Sequence, residues 1–343
     1  MDKRGTVLVT GGTGFIAQYC MIALLNAGYR VRTTVRSLAR EAEVRGYLKV
    51  GGVEAGDRLE FAVADLTRDV GWADAAAGCE YAIHPASPTP SGDQVHEDDW
   101  VNPAVHGNLR VLRAARDAKV RRVVLTSAFG AIGVGHGPDK PRPFTEKDWS
   151  NLDGDVAPYQ RSKTLSERAS WEFVEREGDG LELTSVNPVA VLGPALGADH
   201  SHSVALIRNL MEGRPCPKIK SCYVDVRDVA DLHLRAMTES AAKGERFIAS
   251  AGESLWMVEV GAILRRRVRP AARKVKTWQI PSFVLRLLVH RDPKLRNIIK
   301  LVDYDMSVSN DKARRLLGWS PRSSEEAIVA AAESLVRLGL VAG

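Results

Sequence analysis

Residues 6–27, TVLVTGGTGFIAQYCMIALLNA, predict a strand, a glycine-rich turn and a helix. The apolar run at 7–9 is typical of a central parallel strand that is buried on both faces. Gly11, Gly12 and Gly14 place no Cβ between a ligand and the backbone amides that open the next helix. The turn therefore suits a pyrophosphate, and the rest of the fold is built outward from it.

The spacing of Gly11, Gly14 and Ala17 matches the dinucleotide-binding fingerprint, in which the third small residue lets the helix pack closely on the strand. A tight turn that is merely rich in glycine is the alternative interpretation. The order of strand, turn, helix and then a second strand at 29–35 favours nucleotide binding.

The residue after the second strand indicates which dinucleotide is bound. NAD-binding proteins place Asp or Glu there to bind the ribose 2′-hydroxyl, whereas this chain has Arg36. Arg40 follows one turn later if a helix begins near Ser37, so both guanidinium groups could hold one phosphate. The pair predicts NADPH rather than NADH, against the alternative of two solvated arginines.

Later strands are predicted at residues 59–64, 80–84 and 122–126. Their carboxyl ends should border one crevice, and Asp65 and Leu66 follow the first of them where an adenine ring would lie. His84 ends the strand at 80–84, and a lone histidine there is more often a packed core residue than an acid or base. After the strand at 122–126, a polar loop to about residue 158 is long enough to form a lid or rim.

Tyr159 and Lys163 open a helix in the run YQRSKTLSERASW. Four residues apart on a helix, the phenol and the ammonium group lie on one face, so the lysine can lower the tyrosine pKa electrostatically. The spacing alone arises easily by chance, but its place after the fifth strand of a nucleotide-binding sheet favours a catalytic pair.

The composition is that of an ordinary soluble protein, with 343 residues, 45% of them hydrophobic and 26% charged. The first residues contain no apolar stretch of signal-peptide length, and no segment reaches the ~20 apolar residues of a membrane span. We therefore predict a cytoplasmic protein with no membrane partner. The four cysteines form no CxxC pair, which favours reduced structural thiols over disulfides or zinc.

Two clusters suggest other functions, and for both the simpler interpretation is preferred. The basic run at 265–276, RRRVRPAARKVK, has no interleaved aromatic residues, which favours a solvated face over nucleic acid binding. Asp199, His200 and His202 resemble a metal cluster but lie in a loop of small polar residues that should face solvent. We predict neither a nucleic acid partner nor a metal site.

The chain as a whole resembles the extended short-chain dehydrogenases/reductases, in particular the group around dihydroflavonol 4-reductase, cinnamoyl-CoA reductase and microbial aldehyde or methylglyoxal reductases. The resemblance extends from TGGTGFIA through HPASP, VNPAVHGNLRVLRAA, VVLTSAFGAIG, YQRSKTLSERASW and SVNPVAVLGP to YVDVRDVADLHLRAM and VSNDKARRLLGW. It implies an α/β fold: a doubly wound, Rossmann-type parallel sheet with a small, mostly helical C-terminal substrate lobe. The nucleotide-binding domain would comprise residues 1–187 and 224–250, and the lobe residues 188–223 and 251–343.

The resemblance also implies NADPH-dependent reduction of an aldehyde or ketone, and the reverse oxidation of an alcohol. Tyr159 would be the general acid, and Lys163 would hold the nicotinamide ribose and lower the tyrosine pKa. The residues that would contact the nucleotide are Gly11, Gly12, Thr13, Gly14, Phe15, Ile16, Arg36, Arg40, Asp65, Leu66, Ala86, Ser87, Thr126, Tyr159, Lys163, Pro188 and Val189. The partner would be a small carbonyl or alcohol substrate, and the protein a monomer or homodimer.

One position departs from the family pattern. The third catalytic residue of the family is the second serine of a Thr-Ser-Ser run, and here that run is Thr126-Ser127-Ala128. Ser127 should point to the opposite face of the extended chain, whereas Thr126 shares the face of residue 128 at about 6 to 7 Å. A local shift of the alignment, another donor, an engineered replacement and a weak enzyme all stay open.

The specialised substrate signatures of this group are missing. DVAPYQRSK replaces the Asn-Trp-Tyr-Cys-Tyr-Gly-Lys run of cinnamoyl-CoA reductases, and Gly133 stands about where flavonoid reductases carry a substrate-binding asparagine. Two other functions share the architecture. One is a hydroxysteroid dehydrogenase or nucleotide-sugar epimerase, whose NAD-using members Arg36 disfavours. The other is an NADPH-binding regulatory protein without turnover, which Ala128 favours.

Overall fold

The computed structural model describes residues 5–88, 96–137, 140, 143–198, 201–288, 299 and 301–341. Its strands are β1 Thr6–Val9, β2 Arg30–Val35, β3 Leu59–Val63, β4 Cys79–His84, β5 Arg122–Thr126, β6 Glu182–Pro188, β7 Ala190–Leu192, β8 Lys220–Asp225, β9 Arg246–Ala249 and β10 Ser254–Trp256. Seven of them form one sheet in the order β3-β2-β1-β4-β5-β6-β9, and every pair in it is parallel.

The order of the strands reverses at β1. The chain moves outward through β2 and β3 and then returns to place β4 on the other side of β1, with Val7 between Val31 and Tyr81. In open parallel sheets, ligands bind beyond the carboxyl ends of the strands at such a switch point. The crevice therefore opens where the glycine-rich turn and the loop after β4 meet.

The helices are α1 Phe15–Asn26, α2 Glu41–Val50, α3 Trp72–Ala76, α4 Glu97–Asp117, α5 Pro158–Glu177, α6 His202–Met211, α7 Val226–Thr238, α8 Met257–Arg267, α9 Ser282–Leu288, α10 Asp311–Leu317 and α11 Ser324–Arg337. α4 packs along α5 on one face of the sheet, and α1 packs against α7 on the other. Val7 and Val9 accordingly join one hydrophobic core and Leu8 the other. The predicted doubly wound α/β fold is confirmed.

The C-terminal part of the chain holds a second sheet that the sequence did not predict. Its order is β10-β8-β7, with β8 parallel to β7 and antiparallel to β10. α11 packs against α6, α8 and β8, so helices cover this small sheet. β7 and β8 have only three and six residues and contain no clear period, so no sequence pattern marks them.

All four cysteines are buried and free, which confirms structural thiols. Within the described ranges, no helix is both long and apolar enough to cross a membrane.

Candidate active site

The glycine-rich turn is shaped by close packing. Gly11 has φ of +68°, and a Cβ added there would lie 2.9 Å from the Cβ of Ala86. A Cβ on Gly12 would lie 2.5 Å from Thr33 Oγ1. These positions therefore need glycine because the turn is pressed against β2 and the loop after β4.

The start of α1 is open to an anion. Gly14 is its N-cap residue and supplies no side-chain cap, and the first turn, which begins at Phe15 and Ile16, contains no acidic residue. Uncapped amides at a helix N-terminus attract negative charge. The turn and the start of α1 can therefore accept the pyrophosphate of a dinucleotide.

Arg40 lies beside the turn but is already paired. Its Nη1 donates to Thr13 Oγ1 at 3.2 Å, while its Nε and Nη2 each donate to Glu43 at 2.7 Å. The Tyr47 hydroxyl also donates to Glu43 at 2.6 Å. The expected helix near residue 37 is a short 3-10 turn at Leu38–Arg40, and α2 begins only at Glu41.

Arg36 is exposed at the end of β2 and faces the loop after β3. The pKa of Asp65 in that loop lies below its usual value, chiefly because the Thr67 backbone N–H donates to the carboxylate, and the charge of Arg36 acts in the same direction. The neighbouring Leu66 packs against Gly107 of α4. Because Glu43 engages the guanidinium of Arg40, Arg36 is the more accessible of the two arginines for a phosphate.

The loop after β4 closes the other side of the crevice. The Ala86 amide donates to Thr10 Oγ1 at 3.2 Å, and Ser87 is exposed. His84 is fully buried, with Nδ1 2.7 Å from Thr10 Oγ1 and Nε2 3.1 Å from Asn108 Oδ1. Burial lowers the pKa of His84 to about 4, and the charge of Lys163 adds to this effect. His84 is therefore a neutral, packed histidine, in agreement with the preferred interpretation.

Tyr159 and Lys163 lie one turn apart at the start of α5. Tyr159 is 42% exposed, whereas Lys163 is 8% exposed and its Nζ donates to the Thr126 carbonyl at 3.3 Å. Burial lowers the pKa of Lys163 to about 8, and the negative charge of Glu167 partly opposes this. Desolvation in the crevice raises the pKa of Tyr159 to about 12, although much of the residue is exposed. The lowering that the spacing to Lys163 predicts does not appear, and desolvation is the cause of the rise.

Trp100 is a site residue that the sequence analysis missed. It lies in the first turn of α4, and its ring meets that of Tyr159 edge to face, with centroids 5.9 Å apart. An ion pair of 3.1 Å between Glu97 and Arg161 holds the starts of α4 and α5 together. No motif marks Trp100, since the contact arises only when the two helices pack.

Ala128 follows β5 in an extended conformation, with φ of −161° and ψ of 164°. Ser127 points away from it and donates to Glu167 at 2.5 Å, which confirms the expected alternation. The Thr126 hydroxyl lies 2.7 Å from Nε2 of the buried His233. Both neighbouring hydroxyls are therefore bonded to buried side chains, and neither replaces the missing serine in this arrangement.

The last two predicted contacts lie at the end of β6 and directly after it. Pro188 is buried at the end of β6, and the Val189 amide donates to the Ala249 carbonyl at 3.1 Å. The polar loop after β5 is fixed at Phe144, whose backbone exchanges hydrogen bonds of 2.9 and 2.8 Å with Ser307 and Ser309. In its described part, this loop is a rim tied to the C-terminal region.

The two clusters that suggested other functions have different outcomes. Asp199 and His200 lie outside the described residues, and His202 is the first residue of α6. In the basic run, Arg266 and Arg267 both pair with Glu325 of α11. Arg265 donates to the carbonyls of Arg273 and Val275. These contacts favour the interpretation of the basic run as a surface face, which here links α8 to α11.

The comparisons with known proteins agree with this geometry. Residues 7–249 match the model of the NAD dependent epimerase/dehydratase family. The chain belongs to this family. A cinnamoyl-CoA reductase from Medicago truncatula is 33% identical over 245 residues, which are 69% of this chain and 74% of that protein. An anthocyanidin reductase from Vitis vinifera is 31% identical over 92% of this chain and 97% of its own length.

A solved structure extends the similarity to nearly the whole chain. The yeast methylglyoxal/isovaleraldehyde reductase in complex with NADPH is 27% identical, with a TM-score of 0.79 over 97% of this chain and 99% of that chain. The predicted resemblance to extended short-chain dehydrogenases/reductases is confirmed.

Proposed function

We propose that this chain reduces aldehydes or ketones to alcohols with NADPH. The observation that carries the proposal is the pair on α5, where Tyr159 is open to the crevice one turn before the buried Lys163. The chain is an NADP-dependent oxidoreductase, as its family and its reductase relatives indicate, and the related yeast reductase is solved with NADPH.

The residues of this chain fit the cofactor. The amides after Gly14 would hold the pyrophosphate, and Arg36, assisted by Arg40, would hold the 2′-phosphate. Lys163 would hold the nicotinamide ribose, with Pro188 along the ring. When bound, NADPH supplies the hydride.

Tyr159 supplies the proton in this proposal. With a pKa of about 12, its phenol keeps the proton throughout the neutral range and can donate it to the oxygen of a bound carbonyl. The same pKa makes the phenolate scarce, so removal of a proton from an alcohol is disfavoured near neutral pH. The lack of a hydroxyl at Ala128 favours carbonyls that are already activated.

The proposal is tested by following NADPH consumption with a panel of aldehydes, ketones and α-dicarbonyls. We expect turnover that is fastest with activated carbonyls. Binding of NADPH with no turnover of any member of the panel would contradict the proposal.

A regulatory protein that binds NADPH without turnover is the second candidate. The observation that favours it is the run 126–128, in which Ala128 lacks a hydroxyl and both preceding hydroxyls are bonded to buried side chains. The exposed Tyr159 above the buried Lys163 favours the enzyme, because a purely regulatory site needs no phenol in the crevice.

We expect NADPH to bind much more tightly than NADH. Arg36→Ala should reduce this preference by roughly 1.5 to 3 kcal/mol, the range for a hydrogen bond to a charged group. Arg40→Ala should reduce it less, because Glu43 already neutralises that guanidinium. The control is Arg45→Ala, which removes an arginine paired with Glu41 on the same helix and should leave the preference unchanged. Dissociation constants measured by fluorescence decide the matter, and equal affinities of the unmodified protein for both cofactors would contradict the prediction.

We expect NADPH affinity and the rate of reduction to fall as the pH rises through about 8, because Lys163 loses its charge there. Tyr159, with a pKa of about 12, stays protonated over the same range. The sign follows because the ammonium form of Lys163, which is present below this pH, is the form that donates hydrogen bonds to the nicotinamide ribose. Lys163→Ala should weaken both steps and remove the pH step. A step of equal size in Lys163→Ala would assign it to another group.

A further inference from the structure

A buried carboxylate lies directly below the proposed catalytic pair. Glu167 is 0% exposed and lies on α5 one helical turn after Lys163. Its carboxylate accepts hydrogen bonds from Ser127 at 2.5 Å, Ser185 at 2.8 Å, Asn187 at 2.8 Å and Arg246 at 2.7 and 3.3 Å. One side chain thus joins α5 to the residue after β5, to β6 and to β9.

The donors to this carboxylate adjoin the positions that the site uses. Ser127 immediately precedes Ala128, and Asn187 immediately precedes Pro188. The Asn187 amide also donates to the Ala128 carbonyl at 3.4 Å. Displacement of Glu167 would therefore move both loops that border the substrate.

Glu167 is held in its charged form. Burial alone would raise its pKa, but the charge and hydrogen bonds of Arg246, with those of the two serines, keep the pKa below its usual value. Arg246 is itself fixed, since its Nη1 donates to the carbonyls of Glu146 and Asp148 at 2.8 Å and its guanidinium stacks on Trp149 at 3.7 Å.

We propose that Glu167 is a positioning residue of this active site, which holds the ends of β5 and β6 and the lysine of α5 in one arrangement through its buried carboxylate. The proposal rests on the function proposed above. Because Glu167 is 0% exposed, a substrate or cofactor in the crevice would not reach it, and it acts through Ser127, Asn187 and its negative charge near Lys163.

The charge has a consequence for Lys163 that packing alone would not produce. Among the described residues, Lys163 interacts electrostatically with Glu167 on its own helix and with His84 on β4, and Tyr159 lies one turn before it on α5. His84 is neutral above about pH 4, and the phenol is neutral below about pH 12. Glu167 is therefore the negative charge, among the described groups, that favours the ammonium form of Lys163 near neutral pH.

A second buried ion pair provides a matched control. Arg122 and Glu182 form an ion pair of 2.7 Å with exposed fractions of 1% and 15%, at the opposite ends of β5 and β6. Arg122 also donates to the carbonyls that end α7. Glu182→Gln therefore disrupts a comparable pair without touching the crevice.

The experiment compares Glu167→Gln, Glu167→Asp and Ser127→Ala with Glu182→Gln, measuring kcat, thermal unfolding and NADPH affinity against pH. Glu167→Gln should lower kcat by about 10- to 100-fold, as expected for a small misplacement of reacting groups. It should also move the midpoint of the NADPH affinity profile downward by about one pH unit. Glu167→Asp should keep the midpoint, and Ser127→Ala should keep it while lowering kcat by about tenfold. Glu182→Gln should lose stability but keep both kcat and the midpoint.

The outcomes separate a positioning role from a structural one. Unchanged kcat and an unchanged midpoint in a folded Glu167→Gln protein would overturn the proposal. A fall in kcat and a shift of the midpoint that are no larger than those in Glu182→Gln would also overturn it. If Glu167→Gln does not fold, an unchanged kcat in Ser127→Ala overturns it instead. If the unmodified protein reduces no carbonyl, the proposed function fails, and the midpoint of NADPH binding still decides the role of Glu167.

Discussion

Tyr159→Phe should reduce the rate of carbonyl reduction by about 10² to 10⁴-fold, the usual contribution of a positioned general acid. NADPH affinity should change little, because the substitution removes only the hydroxyl. The ring would keep its edge-to-face contact with Trp100, and the phenol oxygen makes no hydrogen bond to another described side chain that the substitution would break. Steady-state kinetics with an activated aldehyde and fluorescence titration of NADPH provide the two measurements.

The control for this experiment is Tyr81→Phe. The Tyr81 hydroxyl accepts a hydrogen bond from Arg121 at 3.0 Å near the start of β5, far along the strand from the crevice. Loss of this hydroxyl should leave kcat unchanged. If Tyr159→Phe is as active as the unmodified protein, another acid donates the proton and the assignment of Tyr159 is wrong.

The parts of the site that the sequence predicted are those fixed by local chemistry. Gly11 must adopt a positive φ against Ala86, and Gly14 must open α1, so the spacing of the glycines specifies the turn. The strand predicted at 122–126 is β5 with the same bounds, because a continuous apolar run before a turn indicates a buried parallel strand. The alternation of an extended chain was enough to direct Ser127 away from the crevice.

The parts that the sequence did not predict depend on contacts between distant residues. Arg40 was expected to be available for phosphate, but whether Glu43 or the cofactor engages it depends on the rotamers of both side chains. Glu167 meets Arg246, 79 positions along the chain, only after four elements have assembled. The direction of the Tyr159 pKa was predicted wrongly because spacing along a helix gives proximity to Lys163 but says nothing about desolvation in the crevice.

Ala128→Ser should raise kcat by at least about tenfold and by up to about 10³-fold, with little change in NADPH affinity. A hydroxyl at this position would donate a hydrogen bond to the substrate oxygen, and the bond would strengthen as negative charge develops there, as for one donor of an oxyanion hole. Ala128 is half-buried beside the crevice, and its neighbours cannot provide the bond without leaving His233 or Glu167. The unmodified protein should therefore fold correctly, bind NADPH and reduce activated carbonyls slowly.

Kinetics of Ala128→Ser should be compared with those of Ala118→Ser, which adds the same hydroxyl at the far end of α4 and should leave kcat unchanged. A fast unmodified protein, together with no gain in Ala128→Ser, would mean that a water or another side chain polarises the carbonyl. A gain in kcat with an unchanged pH profile would show that the serine acts on the substrate oxygen rather than on Lys163, because a shift in the lysine pKa would move the profile. If neither protein reduces any carbonyl while both bind NADPH, the missing hydroxyl is not the cause of inactivity, and the regulatory function becomes the better account of this site.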